Sequence, residues 1–205
     1  MRLGILGGTF DPPHTGHLLA ALDAIDVLSL DRLVLVPAAT QPLKGGRVMA
    51  TPAERLTMTS LLAAADPRFT VDSIEIDRGG LSFTVDTLGV MAERWPEADR
   101  YFLVGADTLD TFSSWREPAR VLQLARLAVL ARSAVDGEER SASGAGGVER
   151  LAAATPGAIP PVWLRTRRVD VSSTEVRARV HAGRTIAGFV PDAVAAFIAS
   201  AGLYR

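Results

Sequence analysis

Short apolar runs alternate with longer segments of helical period along this chain. The short runs are rich in leucine and β-branched residues, which is typical of buried strands. They predict strands at Arg2–Leu6, Arg32–Val36, Thr70–Ile76, Arg100–Val104, Leu127–Ala131 and Val162–Thr166. The longer periodic segments predict helices at Gly16–Leu28, Pro52–Ala64, Val85–Arg94, Glu117–Leu124, Ser173–Ala182 and Asp192–Ala201.

The alternation of strands and helices indicates the fold class. A strand, a helix and a further strand in succession form a crossover between parallel strands, and the crossover helices cover the sheet. We therefore predict one α/β domain over residues 1–205, with a doubly wound, mostly parallel sheet and helices on both faces. In such sheets, ligands lie beyond the carboxyl ends of the strands, where the strand order reverses.

Residues at the predicted helix ends support these boundaries. Thr51–Glu54 predicts a capping box with proline at the first helical position, and Ser172–Glu175 predicts a second capping box. Gly202 follows an apolar stripe and predicts the end of the last helix. Residues 134–147 consist largely of Asp, Glu, Ser, Gly and Ala without a period, so they predict a mobile surface loop.

Composition narrows the classes of protein. Apolar residues make up 48% of the 205 residues and charged residues 22%, as in ordinary globular domains. A net charge of −1 gives no general attraction to nucleic acid or to an acidic membrane. There is no cysteine, and no apolar run is long enough for a signal peptide or a membrane span. We expect a cytoplasmic protein that binds neither nucleic acid nor membranes, and the composition leaves a homo-oligomer open.

The segment after the first strand is a candidate anion site. Gly7 and Gly8 are expected to let the backbone turn tightly and to present bare N–H groups before a helix that begins near Gly16. His14 and His17 lie on the same side of the first helical turn, where imidazoles can hydrogen-bond phosphoryl oxygens. A solvated turn is the alternative for such a segment, and a zinc site would need a third ligand.

Two further features are typical of phosphate binding. Ser173 and Thr174 stand at a predicted helix start whose hydroxyl and N–H groups can hold phosphates, and Arg177 lies about one and a half turns further along. Lys44 is the single lysine among 22 basic residues, which suggests a position that needs a compact ammonium group. A solvated loop lysine is the alternative for Lys44.

Together, these motifs resemble those of the nucleotidyltransferase superfamily. Gly-Thr-Phe-Asp-Pro followed by His-x-Gly-His is similar to its signature, and Ser-Ser-Thr-x-Val-Arg is similar to its second phosphate motif. The resemblance implies a Rossmann-like nucleotidyltransferase fold, with Mg²⁺ carried by the phosphates of ATP and no metal site of the protein's own. It implies nucleotide contacts at Gly7, Gly8, Thr9, Phe10, Gly105, Asp107, Ser173 and Thr174, and catalytic roles for His14, His17, Lys44 and Arg177.

The middle of the chain points to an acceptor for the nucleotidyl group. Leu81–Leu88 and Val104–Trp115 are similar to segments of bacterial nicotinate mononucleotide adenylyltransferases. This resemblance implies that ATP and nicotinate mononucleotide are the substrates, that nicotinate adenine dinucleotide and pyrophosphate are the products, and that Thr84, Trp115 and Arg116 hold the acceptor.

Other interpretations of these residues stay open. An aromatic face suits a pyridine ring, but tryptophan is also common in cores, and Asp107 can cap a helix. Nicotinamide mononucleotide and phosphopantetheine are alternative acceptors within the same superfamily. A phosphate-binding sensor without transferase activity is the alternative from another class.

Overall fold

The computed structural model describes residues 1–41, 48–132, 145–167 and 169–205. The strands are Arg2–Gly8 (β1), Arg32–Pro37 (β2), Phe69–Val71 (β3), Asp99–Gly105 (β4), Arg126–Arg132 (β5) and Val162–Thr166 (β6). The helices are Thr15–Leu28 (α1), Pro52–Ala63 (α2), Ile74–Arg78 (α3), Thr84–Arg94 (α4), Pro118–Leu124 (α5), Ala145–Ala154 (α6), Ser173–His181 (α7) and Asp192–Ser200 (α8). A 3₁₀ helix covers Ala106–Ser114.

Within the described residues, the strands form a six-stranded sheet in the order β3-β2-β1-β4-β5-β6. Strand β1 pairs in parallel with β4, β4 with β5, and β5 with β6. Helices pack on both sides of the sheet. This order reverses between β1 and β4, as it does at the switch point of a doubly wound fold. The predicted α/β class with a Rossmann-like parallel sheet is confirmed.

The apolar runs form the interior because a parallel sheet covered on both faces buries both sides of its strands. Leu3 and Ile5 of β1, Leu33 of β2 and Val129 of β5 are fully buried. Gly4 lies among them, and a Cβ there would come within 2.6 Å of the Leu30 side chain. The strand therefore needs a glycine at that position for close packing.

The helix-end predictions are confirmed for α2 and α8, and in part for α7. Thr51 and Glu54 form a complete capping box at the start of α2. The Ser172 hydroxyl accepts the Glu175 N–H at 3.1 Å and so caps α7, which is one half of the predicted capping box. Gly202 has a φ of 65° directly after α8 ends, which is the left-handed conformation expected of a terminating glycine.

Two predicted elements differ from the structure. The strand predicted at Thr70–Ile76 ends at Val71, because the Asp72 carboxylate accepts the N–H of Ile74 at 2.9 Å and starts a helical turn there. That prediction is wrong beyond Val71. The predicted mobile loop at 134–147 lies outside the described residues up to 144, and residues 145–147 form the start of α6.

The described parts of the chain divide into compact units, here called unit 1 and unit 2. Unit 1 comprises Met1–Leu6, Asp23–Leu33 and Phe83–Arg168. Unit 2 comprises Gly7–Leu22, Val34–Ser82 and Val169–Arg205. The single domain over 1–205 stays a prediction. Among the described helices, none has the length and apolarity that a membrane span requires.

Candidate active site

The backbone at the start of unit 2 does not turn at Gly7 and Gly8. Strand β1 continues through Gly8, whose carbonyl accepts the Ala38 N–H at 2.8 Å. The backbone turns instead at Phe10, which is buried and has a φ of 50°. A Cβ on Gly8 would lie 3.0 Å from the Phe10 ring. The predicted tight turn at Gly7 and Gly8 is therefore wrong, and Gly8 instead leaves room for the Phe10 ring.

The two histidines lie against each other at the start of α1. Their ring centroids are 3.8 Å apart with a 35° angle between planes, and the Phe10 ring supports His17 in an edge contact at 5.0 Å. The His14 N–H donates to Nδ1 of His17 at 3.2 Å. Because Nδ1 accepts, the neutral His17 ring carries its proton on Nε2. That nitrogen is then a hydrogen-bond donor suited to a phosphoryl oxygen.

Contacts within unit 2 fix the first turn of α1. Thr15 donates its backbone N–H to Phe189 O at 2.8 Å and its hydroxyl to Gly188 O at 2.9 Å. At Gly16, a Cβ would lie 3.0 Å from the His14 ring and 3.5 Å from Val171 O. The missing side chain at Gly16 therefore lets the His14 imidazole lie directly on a helix N-terminus, where the helix dipole favours an anion.

The second phosphate motif contacts the first inside the same unit. Ser173, at the start of α7, donates its hydroxyl to Pro12 O at 2.8 Å across 161 residues of sequence. Arg177 donates to Asp11 O at 2.6 Å and to the Thr174 hydroxyl at 3.2 Å. The structure therefore brings Ser173, Thr174 and Arg177 to the segment that carries the histidines.

Sequence reasoning missed a buried polar network beneath this segment. Arg55 is buried in α2 and donates to Thr9 O at 2.8 Å and to Ala38 O at 2.6 Å. Burial lowers the pKa of Arg55, while the nearby Asp11 carboxylate and Tyr204 phenol raise it. A signal for Arg55 exists in the sequence, because its spacing from Met58 and Leu62 puts an arginine on the apolar face of α2.

Unit 1 holds the remaining nucleotide candidates, Gly105 and Asp107. Gly105 ends β4, and Asp107 lies exposed in the first turn of the 3₁₀ helix. A Cβ on Gly105 would lie 2.5 Å from Oδ1 of Asp107. The glycine therefore lets the Asp107 carboxylate fold back over the end of β4, the edge of a doubly wound sheet at which ligands bind.

The acceptor candidates also lie in unit 1. Trp115 follows the 3₁₀ helix and is half-buried, with its ring 5.1 Å from Phe112 and 6.2 Å from Phe102. The Arg116 guanidinium lies 4.9 Å from the centre of the Phe83 ring and 3.3 Å from Oδ2 of Asp86. Thr84 is the first residue of α4, next to Phe83. The Arg116 side chain thus lies against the first turn of α4, which Thr84 begins.

Lys44, the remaining predicted catalytic residue, lies outside the described residues. In the part of the chain that the structure covers, no three His, Cys, Asp or Glu side chains form a cluster that could hold a metal ion. The described candidates offer hydrogen-bond donors and helix termini, which suit the binding of phosphate groups.

Comparisons with known proteins agree with these motifs. Residues 5–179 match a family model described as Cytidylyltransferase-like. The chain is 48% identical to a protein of Gemmatimonas aurantiaca named "Probable nicotinate-nucleotide adenylyltransferase". The match covers 100% of this chain and 93% of that protein. The chain is 42% identical to a Thermus thermophilus protein of the same name, with 100% of both chains covered.

A solved structure is similar in fold. It is the Plasmodium falciparum nicotinic acid mononucleotide adenylyltransferase complexed with NaAD. The TM-score is 0.75 at 17% sequence identity, and the match covers 99% of this chain and 97% of that one. At this identity, the likeness is one of fold.

Proposed function

We propose that this chain, which belongs to the cytidylyltransferase-like family and to the nicotinate-nucleotide adenylyltransferases within it, joins nicotinate mononucleotide to ATP. The products are nicotinate adenine dinucleotide and pyrophosphate, and the reaction is a step of NAD biosynthesis. The observation that carries this function is the identity of 48% and 42% to named adenylyltransferases over the full length of the chain.

The chemistry is an in-line displacement at phosphorus. A phosphate oxygen of the acceptor forms a bond to the α-phosphorus of ATP, and the bond from that phosphorus to the bridging oxygen of the β-phosphate breaks. The electron pair leaves with pyrophosphate, and no covalent intermediate with the protein forms. Such a reaction depends on positioning and on stabilising negative charge, which hydrogen-bond donors and helix termini provide.

We assign the triphosphate to residues of unit 2. His14 and His17 contact the phosphates, and Nε2 of His17 donates to a phosphoryl oxygen. Ser173, Thr174 and Arg177 hold the β- and γ-phosphates. The contacts of Ser173 with Pro12 and of Arg177 with Asp11 support this assignment, because they bring two motifs that are distant in sequence to one segment.

Other assigned contacts are made by main chain and by single side chains. The segment of Gly7, Gly8, Thr9 and Phe10 contacts the nucleotide chiefly through its main chain, and Lys44 supplies a positive charge to the phosphates. In unit 1, we assign Asp107, with Gly105 beside it, to the ribose hydroxyls of the nucleotide. The exposed carboxylate of Asp107 supports this assignment, since carboxylates accept hydrogen bonds from ribose in doubly wound folds.

We assign the acceptor to Thr84, Trp115 and Arg116 of unit 1. The half-buried Trp115 ring packs on Phe112 and keeps part of its surface exposed, which suits stacking with a pyridine ring. Thr84 and the backbone N–H of Arg116 are donors for the nicotinate carboxylate. Thr84 is the first residue of α4, and the positive end of the helix dipole there favours the acid over the amide.

We propose that Mg²⁺ arrives on the phosphates of ATP. The described residues contain no cluster of three candidate metal ligands, so phosphate oxygens and water are the ligands that we expect for the ion. A bound divalent ion neutralises charge on the triphosphate. We also propose a cytoplasmic location, because ATP is supplied there, and fractionation of the source cells tests this.

The function is tested by following pyrophosphate release with ATP, Mg²⁺ and one acceptor at a time. We expect clear preference for nicotinate mononucleotide over nicotinamide mononucleotide, and no turnover with phosphopantetheine. Each acceptor is incubated without ATP as a control. Equal rates with the acid and the amide would contradict the assigned acceptor, and no turnover with any of them would contradict the enzyme itself.

A further inference from the structure

Asp11 is a buried carboxylate that the proposed chemistry does not use. It lies between β1 and His14, and only 4% of its surface is exposed. Oδ2 accepts the Met49 N–H at 2.8 Å, and Oδ1 accepts the Ala50 N–H at 3.0 Å. A buried carboxylate is stable only when its oxygens are hydrogen-bonded or paired. These amides therefore determine where the Asp11 side chain, and the backbone that carries it, can lie.

Tyr204 supplies another donor to the same carboxylate. Its buried hydroxyl donates to Oδ1 of Asp11 at 2.8 Å. Burial and the bond to Asp11 both raise the pKa of Tyr204, so the phenol stays a donor. Tyr204 has a φ of 64°, a conformation that is strained for a residue with a Cβ and that persists where its surroundings hold it.

The end of α8 places Tyr204 for this contact. The Leu203 N–H donates to Ile198 O at 3.1 Å and the Gly202 N–H to Ala199 O at 3.4 Å, which is the pairing of a Schellman motif. This motif reverses the chain directly after α8. The geometry of this turn therefore places the hydroxyl of Tyr204 next to Asp11.

Arginines hold the backbone on either side of the Asp11 carboxylate. Arg177 donates to the Asp11 carbonyl at 2.6 Å, and its guanidinium lies 4.0 Å from Oδ2. Arg55 donates to Thr9 O at 2.8 Å. Main-chain bonds to these arginines and side-chain bonds to Tyr204 thus converge on residues 9–11. The same short segment continues from Asp11 to His14.

We propose that Tyr204 is a positioning residue: its hydroxyl, acting through Asp11, fixes the segment that carries His14 and His17. The inference rests on the proposed role of these histidines in phosphate contact. Without the phenol, Oδ1 loses one of its buried donors, and the carboxylate moves towards a replacement. Phosphoryl transfer depends on sub-ångström placement of donors, so a small movement of the histidines lowers kcat.

Tyr204→Phe removes only the hydroxyl, and Tyr101→Phe is its matched control. Tyr101 is the chain's other tyrosine, also buried, and its hydroxyl accepts from Arg2 at 2.9 Å.

We measure the imidazole ¹H–¹⁵N signals of the three histidines, with His181 as the internal reference. We expect Tyr204→Phe to shift the His14 and His17 signals, to leave His181 in place, and to lower kcat about tenfold with the KM for ATP within about twofold. We expect Tyr101→Phe to change neither the histidine signals nor kcat.

A double mutant tests whether the effect passes through Asp11. Asp11→Ala removes the acceptor of the Tyr204 hydroxyl and must itself move the His14 and His17 signals. Adding Tyr204→Phe to it must change kcat by less than about twofold, since coupled residues are not additive. If the two single variants lowered kcat independently, so that their factors multiplied in the double variant, the proposal would be overturned. Histidine signals that stay unchanged in Tyr204→Phe, or that Tyr101→Phe moves equally, would also overturn it. If the wild type transfers no adenylyl group, the proposed function fails, and the histidine signals still decide the positioning role.

Discussion

His17 has two hydrogen-bonding nitrogens with separate tasks. Nδ1 accepts the N–H of His14 at 3.2 Å and stabilises the start of α1. Nε2, which carries the proton in the neutral ring, is the donor that we assign to a phosphoryl oxygen. The amides of asparagine and glutamine imitate these nitrogens one at a time. The amide of Asn lies near the position of Nδ1, and that of Gln reaches the position of Nε2.

We predict that His17→Gln retains at least about tenfold more kcat than His17→Asn, because the donor at Nε2 serves catalysis and is worth roughly 1.4 kcal/mol or more in the transition state. Steady-state pyrophosphate release measures kcat, and far-UV circular dichroism verifies the fold of each variant. His181→Gln, in the last turn of α7, is the control and keeps the wild-type rate. The opposite order of the two variants would mean that the bond to His14 is the main task of His17.

Single residues also mark where sequence interpretation stops. The motif predicts the roles of His14 and His17 from residue type and spacing. Arg55 received no role from the sequence, yet its guanidinium donates to the carbonyls of Thr9 and Ala38. These partners come from other segments, and a helical period carries no information about them. Only the folded chain reveals such a network.

At the scale of an element, the stability of α1 and the space needed by the His14 ring make conflicting demands on position 16. Glycine inside a helix is unfavourable relative to alanine by roughly 0.5–1 kcal/mol. Gly16 is nonetheless present in α1, where a Cβ would lie 3.0 Å from the His14 ring. The helix thus tolerates lower stability at Gly16, because the imidazole occupies the space of a side chain.

We predict that Gly16→Ala lowers kcat about tenfold or more without lowering Tm, since the gain in helix propensity opposes the displaced His14 ring. Gly89→Ala is the matched control, because Gly89 lies in α4 and a Cβ there would meet nothing within 4 Å. This control is expected to raise Tm by about 2 °C and to leave kcat unchanged. Equal kcat values for the two variants would show that Gly16 has no role in placing His14.

Other elements show why some boundaries follow from sequence and others do not. The start of α2 is determined locally, because Thr51 and Glu54 cap each other. The strand β3 is shorter than its apolar run because the Asp72 side chain captures the N–H of Ile74. The turn at Phe10 was placed two residues too early, since glycines favour turns by themselves while a positive φ at Phe10 requires tertiary packing.

For the whole molecule, the alternation of strands and helices was sufficient to predict a parallel sheet, because crossovers between parallel strands need helices. The strand order β3-β2-β1-β4-β5-β6 agrees with a doubly wound fold. The division into units did not follow from the sequence. Unit 1 and unit 2 each collect segments from three parts of the chain, so no composition shift or linker marks their limits.

This division separates the proposed triphosphate contacts from the proposed acceptor contacts, so the two sets can be tested independently. Thr174 belongs to unit 2 and the proposed triphosphate contacts, whereas Trp115 belongs to unit 1 and the proposed acceptor contacts. We predict that Trp115→Leu raises the KM for nicotinate mononucleotide about tenfold and leaves the KM for ATP within about twofold, because an aromatic face is worth roughly 1 kcal/mol or more in stacking. Thr174→Val is expected to raise the KM for ATP about tenfold and to leave the KM for nicotinate mononucleotide within about twofold.

Initial rates measured with one substrate varied at a time supply both KM values for each variant. Trp163→Leu is the control for Trp115→Leu, since Trp163 is a half-buried tryptophan of β6 in the same unit and has no assigned contact. If Trp163→Leu raised the acceptor KM equally, the effect would reflect general loosening of unit 1. If Trp115→Leu changed both KM values alike, Trp115 would be a packing residue, and the acceptor would have to be held by other residues than the ones assigned.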